Sequence, residues 1–365
     1  MAGKQKDISP KTHFRGYAIP GSPAPGDSEG DPGLEIGENE TLDVLCGHLR
    51  IFQLKDGHRY STDDLLTAWY GTTWCPSARR ILDLGSGIGT VAMVAAWRLP
   101  GAEIVTIEAQ EESTPLAKKS VRWNGFEDRF DIRQGDLRSP DVLAKEEKFD
   151  LILGSPPYFP LGTGVVSDHP QKVACRFEVR GTIADYCSTA SQHLENGGIF
   201  ACVFPVNPDE QRERVTEASK AADLTIVRER HIVLREGEPP LLGLFVMSRK
   251  CDLPESMHDQ IWVEPPLVIR AKDGTIHPEY SAVKLSFGFP PGTPTVSLQL
   301  FFWILDFLAY IIENNATFWN RNIRARDFLW AGDNTFLSAL PLEFPVAESG
   351  RLMTKEKTGS NPLTE

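Results

Sequence analysis

A four-residue stretch near the middle of the chain carries the groups best suited to chemistry. It consists of Ser155, Pro156, Pro157 and Tyr158, and it directly follows an apolar run at residues 149–154 that predicts a buried strand. Each proline fixes its own φ and has no N–H to donate, so the strand would end in a rigid corner. A serine oxygen, an unpaired carbonyl and a flat ring there could hold a planar NH₂ group. A proline-rich strand exit without function is the structural alternative.

A glycine-rich loop follows a predicted strand at residues 80–84. Gly85, Gly87 and Gly89 would let the backbone turn tightly and lie against a ligand at a helix N-terminus. A dinucleotide site requires G-x-G-x-x-G, but Thr90 stands where the third glycine should be. With Asp83 the series reads D-x-G-x-G-x-G, which is typical of S-adenosylmethionine (SAM) methyltransferases. A carboxylate beside this loop suits the amino group of that cofactor.

Three further residues extend the predicted cofactor site. Glu108 ends the next strand, 19 residues beyond Gly89, where a carboxylate can accept both ribose hydroxyls. Asp136 follows the third strand, where an acid can accept from an adenine amino group, and Leu137 could pack on the ring. Each acid alone could be a solvated strand end. Together, in a strand–turn–helix context, these residues favour a cofactor site.

The elements that must position these residues alternate between strand and helix. Strands are predicted at residues 80–84, 103–108, 130–133, 148–153 and 199–204, and helices at 62–70, 90–99, 113–124, 182–194 and 211–221. This rhythm indicates an α/β fold with a mostly parallel, covered sheet. Together with the glycine loop at residues 83–89, it resembles the Rossmann-like class I SAM methyltransferase fold. Two strand-like runs at 224–234 and 241–249 predict an antiparallel C-terminal hairpin. A further short strand is expected from residue 267.

Composition narrows the range of partners. The 365-residue chain has a net charge of −12, so a broad electrostatic surface for nucleic acid is absent and any RNA contact needs local basic patches. The six cysteines are scattered and form no C-x-x-C pair. We therefore expect no metal, no disulfide framework and a reducing, cytoplasmic compartment.

Four regions are expected along the chain. Residues 1–40 are rich in glycine, proline and acid, which predicts a disordered leader. Residues 41–288 would form the methyltransferase domain. An extension at 289–345 contains an apolar run at 298–312, which is too short for a span and includes Asp306, so a buried or interfacial helix is expected and no membrane contact. Residues 346–365 would be a disordered tail.

The position of the proline corner indicates what it would hold. Open α/β sheets bind ligands at the carboxyl ends of their strands, and the corner ends the fourth strand. With a methyl donor nearby, the acceptor would be an exocyclic or amide nitrogen. The Ser155 side chain and the Pro156 carbonyl would accept its two N–H bonds, which requires positioning and electrostatics and no strong base. Tyr158 would stack on the plane, and a nucleobase would have to be flipped or single-stranded.

Residues 83–89 together with 155–158 resemble the class I amino-methyltransferases that carry an (Asn/Asp/Ser)-Pro-Pro-(Tyr/Phe/Trp) motif. More specifically, the chain is similar to the bacterial valine-tRNA adenine N6-methyltransferases and their small-domain relatives. Residues 52–66, 176–182 and 267–280 extend the similarity, which covers about residues 45–285. One difference is that Ser155 stands where that family usually has asparagine, so a single hydroxyl oxygen replaces an amide.

The resemblance implies a SAM-dependent N-methyltransferase that acts on adenine N6 in RNA, with tRNA as its partner. It places the following residues near SAM: Arg59, Thr62 and Asp63 at the methionine end, Asp83, Gly85, Gly87 and Gly89 in the loop, Glu108 at the ribose and Asp136 at the adenine. The target nitrogen would be held by Ser155, Pro156, Pro157 and Tyr158. The basic residues that could contact phosphate are Arg176, Arg180, Lys118, Lys119 and Arg122, although each could be part of a solvated helix face.

Three other functions stay open at this point. A protein glutamine methyltransferase of the release-factor type would share the corner chemistry, because a glutamine amide is also a planar NH₂. That family typically carries a helical N-terminal domain, whereas this chain begins with a polar leader. A non-catalytic SAM-fold binding module is disfavoured by the intact Asp83, Glu108 and Tyr158. A dehydrogenase is disfavoured by Thr90.

Overall fold

The computed structural model describes residues 12–14, 17–27, 33–163 and 169–289. Its strands are β1 (His13–Phe14), β2 (Tyr17–Ala18), β3 (Glu40–Val44), β4 (Arg50–Leu54), β5 (Arg80–Leu84), β6 (Glu103–Glu108), β7 (Phe130–Gln134), β8 (Phe149–Gly154), β9 (Leu194–Pro205), β10 (Leu224–Arg235), β11 (Leu242–Arg249) and β12 (Trp262–Arg270). Its α-helices are α1 (Thr62–Trp74), α2 (Thr90–Arg98), α3 (Ser113–Trp123), α4 (Pro170–Arg176), α5 (Ile183–His193), α6 (Asp209–Ala221) and α7 (Pro278–Leu285).

Eight strands form one sheet in the order β12-β10-β11-β9-β8-β5-β6-β7. Strands β7, β6, β5, β8 and β9 are parallel, whereas β11 runs antiparallel to both β9 and β10. This confirms the predicted fold class of a mostly parallel sheet with an antiparallel C-terminal hairpin. The strand order reverses between β5 and β8, where connections leave in opposite directions and a crevice opens.

The alternating side chains of the central strands build a core on each face of the sheet. Ile81 and Leu151 pack in a cluster with residues of α1 and α2. Leu82 and Ile152 point the other way and pack with residues of α5 and α6. Because side chains of a strand alternate between faces, a continuous apolar run requires a cover on both. The helices on either side therefore fix the strand ends that carry the site.

A β-hairpin that the sequence analysis did not predict leads into α1. Strands β3 and β4 pair antiparallel, and Ile51 and Phe52 of β4 are fully buried. The Phe52 N–H donates to Ser120 Oγ at 2.9 Å, and the Arg50 N–H donates to Asn124 Oδ1 at 2.9 Å. The hairpin is thus joined to α3 by backbone-to-side-chain bonds, and it directs the chain toward the start of α1.

The expectation of a disordered leader is wrong for the part of it that the structure describes. Ala24 and Leu34 are buried in the core on the α1 side of the sheet. Asp27 accepts a hydrogen bond from the Trp123 indole at 3.2 Å and lies 3.5 Å from the Arg50 guanidinium. Burial of apolar side chains and a buried charge pair hold this segment against α3.

The C-terminal predictions have mixed outcomes. Strand β12 is present and begins earlier than expected, at Trp262, where it extends the sheet parallel to β10. The extension at 289–345, with its apolar run at 298–312, and the tail at 346–365 lie outside the described residues apart from Phe289. In the ranges that are described, the helices are all too short or too polar to cross a membrane.

Candidate active site

A cavity of about 410 Å³ lies at the carboxyl ends of β5, β6 and β8, at the point where the strand order reverses. Its lining combines the glycine loop, the end of β6, the first turn of α1 and the proline corner. The residues that line it include His58, Ser61, Asp63, Asp64, Asp83, Gly85, Ser86, Gly87, Glu108, Gln110, Leu137, Ser155, Pro156, Pro157, Tyr158, Phe159, Cys175, Arg176, Arg180 and Tyr186. The predicted cofactor loop and the predicted acceptor corner therefore share one cavity.

Asp83 presents an unpaired carboxylate oxygen at the base of the cavity. It lies in β5 with its side chain buried, and its Oδ2 accepts from the Ala92 N–H at 3.0 Å. No described group donates to its Oδ1. Burial raises the pKa of Asp83 well above the usual value. A cationic ligand group at Oδ1 would offset that desolvation and satisfy the unpaired oxygen.

The glycine loop requires glycine for steric reasons at Gly85. Its φ is +62°, and a Cβ there would lie 1.9 Å from the Tyr186 hydroxyl. Gly87 also has a positive φ, +55°, but no atom lies within 4 Å of where its Cβ would be. The loop is thus closed against Tyr186 on one side and leaves open space at Gly87 for a ligand to approach the backbone.

Glu108 ties the loop to the end of β6. Its Oε2 accepts from the Gly87 N–H at 2.6 Å, and its Oε1 accepts from the Gln110 N–H at 2.6 Å. Burial nevertheless raises the pKa of Glu108, while Arg180 lowers it. Each carboxylate oxygen has a second lone pair, so both can still accept from a pair of ribose hydroxyls.

The proline corner is held by backbone bonds from a neighbouring segment. The N–H groups of Tyr158 and Phe159 donate to the Arg176 carbonyl at 3.1 and 3.0 Å. Arg214 donates to the Tyr158 carbonyl at 3.2 Å and forms an ion pair with Glu178. Within the described ranges, nothing donates a hydrogen bond to the Pro156 carbonyl, which leaves that oxygen for a ligand.

Tyr158 is fixed at both ends of its side chain. Its hydroxyl donates to Asp63 Oδ2 at 2.7 Å, and its ring meets the Phe204 ring edge-on at 5.7 Å. Burial and the nearby Asp63 raise the pKa of the Tyr158 phenol well above its usual value. The ring is therefore a neutral, pre-oriented surface at the cavity wall.

Asp64 is a site residue that the sequence analysis missed. Its Oδ2 accepts from the Ser61 N–H at 3.0 Å and from the Ser61 hydroxyl at 3.3 Å. Burial and the neighbouring Asp63 raise the pKa of Asp64 to about 7. Two acids in a first helical turn are usually explained by the helix dipole. Only the fold brings this turn against the corner.

Most of the predicted site residues meet in the cavity, but four do not line it: Arg59, Thr62, Gly89 and Asp136. Arg59 donates to Asp43 Oδ2 at 2.6 Å, and Thr62 is the first residue of α1. Gly89 begins α2 with a φ of +86°. Asp136 accepts from Arg138 at 2.6 and 2.9 Å, and this bonding lowers the pKa of Asp136.

The predicted phosphate-contacting residues divide into two groups. Arg176 and Arg180 line the cavity, and Arg180 lies close enough to Glu108 to lower the pKa of that acid. Lys118, Lys119 and Arg122 lie on α3 and do not line the cavity. Lys119 forms an ion pair with Glu40 at 2.5 Å, which fastens β3 to α3. Since these three residues lie outside the cavity, their contact with phosphate stays a prediction.

Further lining residues had no motif that could have revealed them. The Gln110 side chain donates to Cys175 Sγ at 3.4 Å, and burial raises the pKa of the Cys175 thiol to about 12. Burial lowers the pKa of His58. Tyr186 is buried beneath Gly85. No pattern in the sequence assigned these residues a role, so their meeting in the cavity follows only from the fold.

The donor set of the cavity fits SAM. Asp83 offers an unpaired buried oxygen for an ammonium group, and Glu108 offers lone pairs for ribose hydroxyls. Leu137 supplies an apolar surface for a base. A pyrophosphate would have to approach these acids, which like-charge repulsion disfavours. A cavity suited to a cationic cofactor lies at the switch point and is lined by the proline corner, which is the fold and site of a class I SAM-dependent methyltransferase.

Comparison with known proteins agrees with that class. Residues 65–211 match the family model described as the methyltransferase small domain. The chain is 31% identical over 180 residues to a tRNA1(Val) (adenine(37)-N6)-methyltransferase from Bacteroides thetaiotaomicron. The matched region covers 48% of this chain and 70% of that protein. It is 26% identical over 218 residues to the protein of the same name from Tolumonas auensis, covering 59% and 85%. The chain belongs to the methyltransferase small-domain family.

Among solved structures, the chain is similar to that of a predicted O-methyltransferase from Agrobacterium tumefaciens. It is 18% identical, covers 64% of this chain and all of that one, and has a TM-score of 0.45.

Proposed function

We propose that this enzyme methylates the exocyclic N6 of an adenine in RNA, with tRNA as the substrate. The observation that carries the proposal is that Ser155, Pro156 and Tyr158 line the same cavity as Asp83 and the glycine loop. The names of the relatives from Bacteroides thetaiotaomicron and Tolumonas auensis support adenine N6 of tRNA as the target.

The corner would act by positioning. The Ser155 oxygen and the Pro156 carbonyl accept the two hydrogens of the amine, which directs its lone pair along one line. The Tyr158 ring restricts the plane of the base. SAM, when bound between Asp83 and Glu108, supplies the methyl group. Because the corner is braced by Arg176 and Arg214, it loses little freedom when the substrate arrives.

The rim of the cavity offers a surface for a single-stranded nucleotide. Arg176 and Arg180 are exposed there, beside the exposed apolar side chains of Phe159 and Val179. These segments are neighbours, since the Glu178 N–H donates to the Phe159 carbonyl at 2.9 Å. Guanidinium groups can neutralise phosphates while an aromatic ring stacks on a base. This local patch supports RNA binding in a protein whose net charge is −12. The free cysteines suit a cytoplasmic enzyme.

The test is transfer of labelled methyl from SAM to total RNA, followed by nucleoside analysis. We expect label in N6-methyladenosine of the tRNA fraction. The matched control is D83N, which keeps the corner but loses the carboxylate at the cofactor site, and it should transfer at least about a hundredfold less.

Two results would contradict the proposal. Label that appears only on protein, and at glutamine, would support the release-factor type of reaction. Label on RNA at a nucleoside other than adenosine would keep the methyltransferase but overturn the adenine assignment.

A further inference from the structure

Phe159 places an exposed aromatic ring on the rim of the cavity. It lines the cavity next to Tyr158, and 43% of its surface is exposed. Phenylalanine is more often buried, although a single exposed apolar side chain needs no explanation by itself. What sets Phe159 apart is that its backbone and its ring are both held in place.

Backbone bonds and a second ring fix the position of Phe159. Its N–H donates to the Arg176 carbonyl at 3.0 Å, and its carbonyl accepts from the Glu178 N–H at 2.9 Å. With these bonds it forms a parallel bridge to Phe177. The centres of the two phenylalanine rings lie 5.9 Å apart at an interplanar angle of 46°, and Phe177 is buried. A ring that is already ordered loses little conformational freedom when a ligand packs on it.

The rings of Tyr158 and Phe159 face in different directions. Their centres lie 6.5 Å apart, and their planes are inclined by 72°. Stacking requires two flat groups to lie nearly parallel, so a single base cannot stack on both rings. The hydroxyl of Tyr158 is fixed by Asp63, which orients that ring for the methyl acceptor. Phe159 is therefore available for a second flat group at the mouth of the cavity.

The strand that carries a flipped adenine supplies such a second group. When a base leaves the stack, the bases on either side of it lose a stacking partner. An aromatic side chain beside the cavity can replace that partner, and base–aromatic stacking tolerates any base. The charge of the rim agrees with a nucleotide strand, because Arg176 and Arg180 are exposed and line the same cavity. Guanidinium groups beside the ring would neutralise the phosphates on either side of the stacked base.

We propose that Phe159 is a substrate-binding residue that stacks on a base adjacent to the target adenine. Tyr158 and Phe159 then divide two neighbouring bases between them, the flipped base inside the cavity and its neighbour on the rim. This inference rests on the proposed function, because it requires a strand of RNA as the substrate. The enzyme would thus recognise the adenine together with one neighbouring nucleotide.

The first test compares RNA methylation by the wild type, F159A, F159W and F159L at saturating SAM. F159A should raise KM for tRNA about tenfold and leave kcat within about twofold, because stacking holds substrate and transition state alike. F159W keeps a flat ring and should resemble the wild type. F159L keeps apolar bulk without a ring, so it should resemble F159A. A KM within about twofold of the wild type in either F159A or F159L would overturn the proposal.

The matched control is L161A. Leu161 is 65% exposed, lies two residues beyond Phe159 and does not line the cavity. L161A should leave KM within about twofold of the wild type. A loss in L161A equal to that in F159A would show that exposed apolar surface in general binds the RNA, and it would overturn a specific role for Phe159. SAM affinity should stay within about twofold in every variant, because the acids and the glycine loop are unchanged.

The second test identifies the base that meets the ring. The tRNA that the wild type methylates is prepared with an abasic site either 5′ or 3′ of the target adenine. At least one of the two RNAs should raise the wild-type KM about tenfold, and the same RNA should change the KM of F159A by less than about twofold. The proposal fails if neither abasic site affects the wild type, or if the wild type and F159A lose equally.

Failure of the proposed function gives a different result. A wild type that labels no adenine in RNA, or that labels a glutamine peptide in its place, would overturn the proposed function and this inference with it. A wild type that methylates tRNA, together with an F159A protein whose KM is unchanged, would overturn the inference and leave the proposed function intact.

Discussion

The Tyr158 hydroxyl donates to Asp63 Oδ2 at 2.7 Å and so joins the corner after β8 to the first turn of α1. This bond crosses 95 residues of sequence. It links the segment that faces the methyl acceptor to a turn that borders the cofactor loop. The orientation of the Tyr158 ring therefore depends on α1 as well as on the corner itself.

Replacing Tyr158 by phenylalanine should separate the ring from its hydroxyl. Y158F keeps the aromatic surface but leaves the Oδ2 atom of Asp63 without its donor, which typically costs about 1–3 kcal/mol. We expect kcat to fall about tenfold while SAM affinity stays within about threefold. Y158A should lose more than about a hundredfold, since it also removes the stacking surface. Equal losses in the two variants would mean that the ring contributes nothing.

The raised pKa of Asp64 predicts a cost to stability above neutral pH. An aspartate in the unfolded chain ionises near pH 4, whereas Asp64 in the folded protein ionises at about 7. Between these values the folded state holds a proton that the unfolded state has lost, so stability falls as pH rises through this window. D64N should therefore raise the free energy of unfolding at pH 8 by about 2 kcal/mol, discounted for partial exposure.

Denaturant unfolding of wild type and D64N at pH 8 and pH 4 checks this prediction. At pH 4 the folded state holds the Asp64 proton and the unfolded state holds it about half of the time, so the difference between the two proteins should be small. A D64N protein that is less stable at pH 8 would contradict the explanation.

SAM binding should be coupled to ionisation of Asp83. Burial raises the pKa of this acid, and an ammonium beside its unpaired Oδ1 would lower it again. SAM should therefore bind more tightly as pH rises toward the raised pKa of Asp83, and binding should release protons. Calorimetry in buffers of different ionisation enthalpy measures that release. D83N should bind at least about tenfold more weakly with no such release, and a wild-type affinity independent of pH would refute the coupling.

The turns that form the site could be predicted from the sequence because the residue patterns that indicate them are local. The apolar runs of β5 and β8 predicted buried strands, and Gly85 and Pro156 marked the turns that end them. These features depend on neighbours in the chain. The order of the strands then brings the two turns together, which the alternation of strands and helices already indicated.

The partners of individual side chains could not be predicted in the same way. Arg59 was placed at the cofactor by resemblance, but it pairs with Asp43 in a hairpin that the sequence did not reveal. Asp136 was expected to face adenine, yet Arg138 two residues later occupies its carboxylate. Asp64 had no signal beyond its place in a helical turn. The partner of a long, flexible side chain depends on distances that only the folded chain defines.

Arg214 provides a final test of how the corner is held. It donates to the Tyr158 carbonyl at 3.2 Å and pairs with Glu178, while its guanidinium lies 5.3 Å from the centre of the Phe204 ring. R214A should free the corner, so kcat should fall about tenfold, whereas SAM affinity should stay within about twofold.

The matched control is Arg212 of the same helix. It makes a bidentate pair with Glu229 at 2.6 and 2.7 Å and does not line the cavity. R212A and R214A should each lose about 1–3 kcal/mol of unfolding free energy, because each removes the arginine partner of a glutamate whose side chain is at most 9% exposed. Only R214A should lose activity. If both variants lost kcat equally, the effect would come from general destabilisation of α6. Arg214 would then have no specific role in holding the corner.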